Sequence, residues 1–366
     1  MKHGPSNTAS VPGESHELSD RFHQQYDKDF GESLLVDVPP MPKNMMVELS
    51  NACNHACLFC TSPNMTRKIS RIESGLLARV MQEARDSGVE EIGFYTTGEP
   101  FIHKSLEKFV HQANGLGYGY IYISTNGALA TPARAKRVID AGLNSIKFSI
   151  NAGSRETYRL VHGSDDWDRV MANLKFVSEY RATLDRPVKL FVTFIITRHT
   201  AHELESFREL VGPLVDEIMF HQVHNQSGQM NEAQEMLSGT PANTGFKSGN
   251  VCMMPFNRLH VTCEGYLTLC CVDYQNYLTV ADLKTSSLSA AWQSEAFRAM
   301  RRRHLEGNLR GTLCGNCWQG YKDDVRPLAA ESATVVNFPE FYHRSAEAVA
   351  KRLAESCSTH DLDGAT

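Results

Sequence analysis

The chain has 366 residues, 42% of them hydrophobic and 22% charged, enough to bury a full core and to build one large domain plus a small one. A net charge of -5 and a pI near 6.3 exclude the basic footprint of a nucleic-acid binder. There is no run of eighteen apolar residues, and the N-terminus, with Pro5, Glu14, Glu17 and Asp20, lacks the apolar core of a signal peptide. The expectation is therefore a cytoplasmic protein with neither a membrane nor a nucleic acid as partner.

Residues 1–43 are polar and end in Pro39-Pro40-Met41-Pro42, which forbids a regular helix or central strand and predicts a low-order extension. From Asn44 a strand, loop, helix pattern repeats, with strands expected near 44–49, 91–95, 120–124, 144–150, 188–196 and 216–222. After the first loop, Leu76, Leu77, Val80, Met81 and Ala84 fall on one face of a 3.6-residue period. Six such units predict an α/β fold, a parallel sheet curled into a partial (β/α)6 barrel of the TIM type over 44–225, with chemistry at the C-terminal strand ends. Beyond it, 226–325 reads as a small cysteine-rich domain of hairpin and helix, and 326–366 as a helix and tail.

The ten cysteines cluster in metal-like spacings and read as reduced ligands rather than disulfides. Cys53, Cys57 and Cys60 form a CxxxCxxC loop directly after the first strand. Three thiolates leave one position of a metal centre open, although a zinc knuckle completed by His55 or a distant cysteine has the same spacing. Thr97-Gly98-Glu99-Pro100 follows the second strand, and on its own is a tight turn. Ser124 and Asn126 end the third strand, and Ser149 and Asn151 the fourth, positions where polar residues also start helices. Thr197 and Arg198 end the fifth, and His221 and His224 the sixth.

A second set of thiols comes later. Cys252 leads into a hairpin of Leu259-His260-Val261 and Tyr266-Leu267-Thr268-Leu269 turning at Glu264-Gly265; Cys270 comes next, and after a helix at Leu288 to Arg303 the pair Cys314 and Cys317. Four thiolates suit zinc or an iron–sulfur cluster equally. Cys271 competes with Cys270 as a ligand, while Cys263 and Cys357 stand apart. Arg301-Arg302-Arg303 reads as the solvated end of that helix.

CxxxCxxC with Phe59 before the third cysteine resembles the cluster loop of the radical S-adenosylmethionine (SAM) superfamily. The resemblance implies that Cys53, Cys57 and Cys60 hold a [4Fe–4S] cluster and that SAM binds its fourth iron. Thr97-Gly98-Glu99-Pro100 is similar to the family's GGEP motif, which receives the SAM amino group, with Thr97 where the pattern has glycine. Ser124, Asn126, Ser149 and Asn151 match positions that commonly contact SAM, and Phe59 would flank its adenine.

Cys252-x12-Gly265-x4-Cys270 with Cys314-x2-Cys317 resembles the SPASM/twitch extension, which implies one auxiliary [4Fe–4S] cluster on Cys252, Cys270, Cys314 and Cys317. Enzymes of that layout include dehydrogenases of amino sugars and aminocyclitols in antibiotic pathways. The resemblance further implies an oxidoreductase that abstracts hydrogen from a carbohydrate-like small molecule, passes an electron to the auxiliary cluster, and draws on a donor such as flavodoxin or ferredoxin. Arg198, His221 and His224 are its candidate catalytic residues. Decarboxylation, epimerisation and peptide maturation are the alternative reactions, and a zinc-binding module the non-enzymatic one. The tail, Leu362 to Thr366, lacks the glycine pair of the molybdenum-cofactor cyclase.

Overall fold

The computed structural model describes residues 34–238, 251–333 and 347–355. Strands β1 (Asn44–Val47), β2 (Glu91–Phe94), β3 (Tyr120–Thr125), β4 (Ser145–Ser149), β5 (Lys189–Ile196) and β6 (Glu217–Gln222) lie where the sequence places them, to within a residue or two. Each pairs in parallel with the next. The helix Ser74–Asp86 buries the five residues of its expected stripe, and Glu73 caps it by accepting from the amides of Gly75 and Leu76.

The strands alternate instead of running apolar throughout. In β3, Ile121 and Ile123 are buried under helices while Tyr120, Tyr122 and Ser124 are half-buried. In β4, Ile146 and Phe148 are buried while Lys147 and Ser149 are not. A parallel sheet covered on both faces would be apolar on both. Here the concave face lines a cavity, and its side chains are polar.

Three further strands carry the sheet on: β7 (Arg258–Val261), β8 (Tyr266–Thr268) and β9 (Thr279–Asp282), giving the order β6-β5-β4-β3-β2-β1-β7-β8-β9. The expected hairpin is β7–β8, but β7 also pairs in parallel with β1, Met45 opposite Leu259 and Val47 opposite Val261. The cysteine-rich region thus continues the barrel sheet from its first strand.

Between β4 and β5 the chain forms two helices, Arg155–His162 and Trp167–Arg181, because Gly163 ends the first in a left-handed conformation (φ 67°). Three sequence expectations change. The helix at Leu288 to Arg303 is likewise two, Leu288–Trp292 and Glu295–Leu305, each capped by its own serine, Ser287 and Ser294. Arg301 is fully buried, not solvated: its guanidinium stacks 3.9 Å from the Trp292 ring and 3.8 Å from Phe297 and donates to the carbonyls of Pro255, Trp292 and Asp37.

Residues 34–43, read as part of a low-order extension, are anchored. Trp292 donates to the Pro39 carbonyl, and the Asp37 carboxylate accepts from Arg298 and Arg302. Residues 1–33, the 334–346 and 356–366 parts of the tail, and Cys357 lie outside the described residues. Among the described residues, no helix is long and apolar enough to cross a membrane.

Candidate active site

A cavity of about 490 Å³ opens at the C-terminal ends of the strands, within the range of small-molecule sites. Cys53, Cys57 and Cys60 line it together with Phe59, Gly98 and Glu99. Ser124, Asn126, Ser149, Asn151, His221 and His224 complete most of the wall. In the sequence these residues come one strand at a time, and folding assembles them around one space. Arg198 does not line it. β5 ends at Ile196, the chain then closes a Thr197–Thr200 turn, and the Arg198 amide donates to Leu237.

Gly98 is a matter of space. A Cβ there would sit 2.0 Å from the Ser50 carbonyl oxygen and 2.7 Å from that of Ala52, so the turn after β2 lies against the start of the cysteine loop. The Glu99 amide donates to Ala52 at 2.9 Å and secures that approach. The buried Glu99 carboxylate accepts from the Phe101 amide, the Thr125 hydroxyl and the Asn126 amide at 3.0, 2.7 and 2.8 Å. Of about four lone-pair sites, one is left for the cavity. Burial raises its pKa against the pull of these three donors, so a cation beside it would be stabilised.

Thr97 departs from expectation. Its hydroxyl donates to Glu48 and its side chain is not part of the cavity wall. Glu48 is the centre of a buried network. It accepts from Arg67, from Thr97 and, at 2.9 Å, from the Cys263 amide, while Arg67 also donates to Glu264 at 3.0 and 2.6 Å. Burial alone would raise the Glu48 pKa, but Arg67 outweighs it and holds the carboxyl below its ordinary range. The network ties the turn after β2 to the β7–β8 turn.

The remaining contacts are local. Asn126 donates to Asn54 at 2.9 Å and approaches the Cys53 sulfur at 3.8 Å. Asn151 sits at φ 54°, in the left-handed region, and its side-chain oxygen accepts from the Ile195 amide. Ser149 accepts from Thr193 at 3.3 Å. His162 is a residue that sequence reasoning missed. Its Nε2 is 2.6 Å from the Ile150 carbonyl and therefore donates, leaving Nδ1 to accept from Cys57 at 3.4 Å. Burial first, then His55, push it down to about 3, so it stays neutral. Tyr274, from beyond β8, places its hydroxyl 3.6 Å from Cys60.

Burial pushes the Cys53 thiol up to about 12, with the Glu99 carboxylate adding to the effect, and the Cys252 and Cys317 thiols up to about 12 and 11. Such thiols ionise only when a metal centre supplies positive charge. In tetrahedral zinc, sulfurs stand about 3.8 Å apart. Among the described residues, no three of the cysteine sulfurs fall within 4.8 Å of one another. The Cys57 sulfur also stands within 4.8 Å of ring nitrogens of His55 and His162, and the wider sulfur spacing is compatible with a cluster, which spreads its ligands. Cys252 and Cys317 act electrostatically on Cys314, Cys317 acts on Cys252, and Cys252 acts on Cys270. Cys271 is also coupled to Cys252 and Cys317, and in addition to Tyr95 and Lys147 of the barrel.

A barrel open at one end, with a thiol triad at its rim and a second thiol set around the hairpin that extends its sheet and on the helix Leu313–Trp318, has the layout of an iron–sulfur enzyme with an auxiliary centre. Residues 47–211 match the radical SAM superfamily model and residues 252–318 that of SPASM, an iron-sulfur cluster-binding domain. The chain thus carries a radical SAM domain, which implies an enzyme that uses SAM and a [4Fe–4S] cluster, and a SPASM domain, which implies auxiliary iron–sulfur binding.

A "Probable GTP 3′,8-cyclase" of Saccharolobus solfataricus is 30% identical over 183 residues, 50% of this chain and 57% of that protein. Its counterpart in Metallosphaera sedula is 30% identical over 189 residues, 50% and 56%. The chain thus matches little more than half the length of these relatives. Among solved structures, BtrN in complex with AdoMet and 2-DOIA aligns with a TM-score of 0.50 at 19% identity, over 75% of this chain and 92% of that one. Streptococcus suis SuiB bound to S-adenosylmethionine gives 0.57 at 13%, over 82% and 75%, and anSMEcpe with bound AdoMet 0.55 at 13%, over 86% and 99%. At these identities the likeness is one of fold.

Proposed function

We propose that this protein is a radical SAM oxidoreductase that dehydrogenates a secondary alcohol of a carbohydrate-like small molecule. The observation that carries the reading is the placement of the cysteine loop, Glu99 and a polar strand-end wall around one cavity, with a second thiol set in the region that extends the same sheet. When bound, the cofactors supply hydrogen-atom abstraction at the rim and, at the auxiliary cluster, an acceptor for the electron that oxidation releases. The reductant that starts the reaction is of the flavodoxin or ferredoxin type.

The roles of the chain's own residues derive from their places. Cys53, Cys57 and Cys60 hold the rim cluster, and the free lone-pair site of Glu99 receives the SAM ammonium in a charge-assisted pair. Asn126, Ser149 and Asn151 lie along the path of the rest of the SAM molecule, with Phe59 beside its base. Cys252, Cys314, Cys317 and Cys270 hold the auxiliary cluster. His221 is held neutral, burial and then Lys147 pushing it down to about 4, so it has a free site for a substrate proton. His224 stands at the exposed mouth. The barrel spans residues 44–225 and the auxiliary domain 226–325.

The test uses anaerobically reconstituted protein, dithionite and candidate sugars deuterated at one carbon at a time. Deuterium appearing in 5′-deoxyadenosine, together with a ketone product, is the expected result. A protein that cleaves no SAM, or whose Cys57→Ala variant cleaves it as the parent does, is not this enzyme.

A further inference from the structure

Beneath the rim the cavity continues into a well of about 190 Å³ inside the barrel, and Tyr95, Ser124, Lys147 and His221 line both spaces. TIM-type barrels normally fill this interior with branched apolar side chains. Here Ile123, Phe191 and Met219 share the lining with charged and polar side chains. Gly93 leaves room for them, because a Cβ there would lie 2.4 Å from the Tyr122 ring. The walls carry Tyr120, Tyr122 and Arg258, and Asn44 and Glu91 also line the well.

Lys147 stands out among these residues. It is half-buried in the middle of β4, one inward position below Ser149. Among the described residues its ammonium has no carboxylate and no hydrogen-bond acceptor, and its contact is the face of Tyr95 at 5.4 Å. Glu91, the acid lining the well, accepts from Asn44 at 2.9 Å. Arg258 adds a second cation to the same wall. Burial pushes Lys147 down to about 8; the Cys271 thiol opposes that and Arg258 adds to it. A desolvated ammonium with no acceptor in hydrogen-bond reach is costly, and a ligand anion lowers the cost.

We propose that the well receives an anionic group of the substrate, a carboxylate or a phosphate on a polyhydroxylated small molecule, anchored by Lys147. The inference rests on the cavity being the substrate site of the proposed reaction. Two residues along a strand are about 6.6 Å, so an anion held at Lys147 presents carbons about four or five bonds away to the rim at Ser149. A sugar acid or sugar phosphate has that shape. A cationic aminocyclitol would face the Lys147 ammonium, on a wall where Arg258 and Glu91 carry opposite charges.

Calorimetry on the anaerobic holoprotein tests this without turnover, with D-glucose, D-glucosamine, D-gluconate and D-glucose 6-phosphate as probes. The expected result is that at least one acid binds about tenfold or more tightly than glucose, and glucosamine no better than glucose. Gluconate against glucose 6-phosphate separates carboxylate from phosphate. Lys147→Met, close in volume, should lose the acid preference, and Lys147→Arg should keep it, with circular dichroism confirming that both fold. Equal binding of acid and neutral probes, no binding of either acid, or an unchanged preference in Lys147→Met overturns the proposal. So does an equal loss of SAM affinity in that variant, which would assign the cation to the cofactor. Failure of the underlying reading shows separately, as wild-type protein that does not cleave SAM under dithionite.

Discussion

The two thiol sets solve one coordination problem in opposite ways. Cys53, Cys57 and Cys60 come from a single eight-residue loop, and a neighbouring turn is pressed against the start of that loop through Gly98. Their cavity is open. Cys252, Cys270, Cys314 and Cys317 come from segments up to 65 positions apart, around a hairpin and on the short helix Leu313–Trp318. A contiguous loop leaves a free position for chemistry, whereas a site closed from several sides offers four ligands and no vacancy. Under the proposed function, the first would be the site that reacts and the second the one that conducts.

The sharpest way to break that comparison is to remove one thiol from each set. Cys57→Ala should abolish SAM cleavage and lose about four irons per chain, whereas Cys314→Ala should lose a similar number yet still cleave SAM while no longer oxidising substrate. Iron analysis and deoxyadenosine assays read both, and loss of SAM cleavage in Cys314→Ala would show that the sets do not act separately.

Next in size is the network that joins the regions. Glu48→Gln leaves Arg67 with a weakened partner in a buried site and should cost about 3–5 kcal/mol in urea unfolding. Glu264→Gln, at a side chain that keeps 21% of its exposure, should cost less. An equal loss for both would move the weight of the brace to its outer partner.

The smallest effect is a matter of pH. Burial and then Arg303 hold His304, in the auxiliary region, down to about 4. The unfolded chain, with an ordinary imidazole near 6.5, therefore binds more protons between those values. Its contribution is complete above about pH 6.5 and is lost as pH falls towards 4. Unfolding midpoints at pH 7 and pH 5 should show about 2 kcal/mol less acid loss in His304→Phe than in the parent. An identical pH dependence in both would place the acid sensitivity elsewhere, with His221 and His162 of the barrel as the next groups to test.

Much of the architecture was legible because its signals are local. The stripe Leu76 to Ala84 and the six apolar runs are periodic over a few residues, and CxxxCxxC is a single word in the sequence. Pairing of β1 with β7 was not legible, since no local pattern says which distant strand will cover an edge. Nor was the splitting of two helices, where one glycine and one serine cap outweighed a continuous apolar face. At the site, residues at strand ends were found because chemistry is expected there. Lys147 was missed although a lysine mid-strand between Ile146 and Phe148 was itself a signal. His162 and Tyr274 had none, because their relation to Cys57 and Cys60 exists only after folding.

The parallel pairing of β1 with β7 also bears on how the protein can be taken apart. β1 is central in the sheet and buried along its whole length. Cutting the chain between β6 and β7 would strip one side of its backbone of partners and expose a flat, apolar edge that invites pairing with other molecules. The barrel half expressed alone should aggregate, and the two halves should unfold in one transition. Swapping the C-terminal region for that of a relative would therefore mean re-matching a strand register, which is harder than joining two beads with a linker.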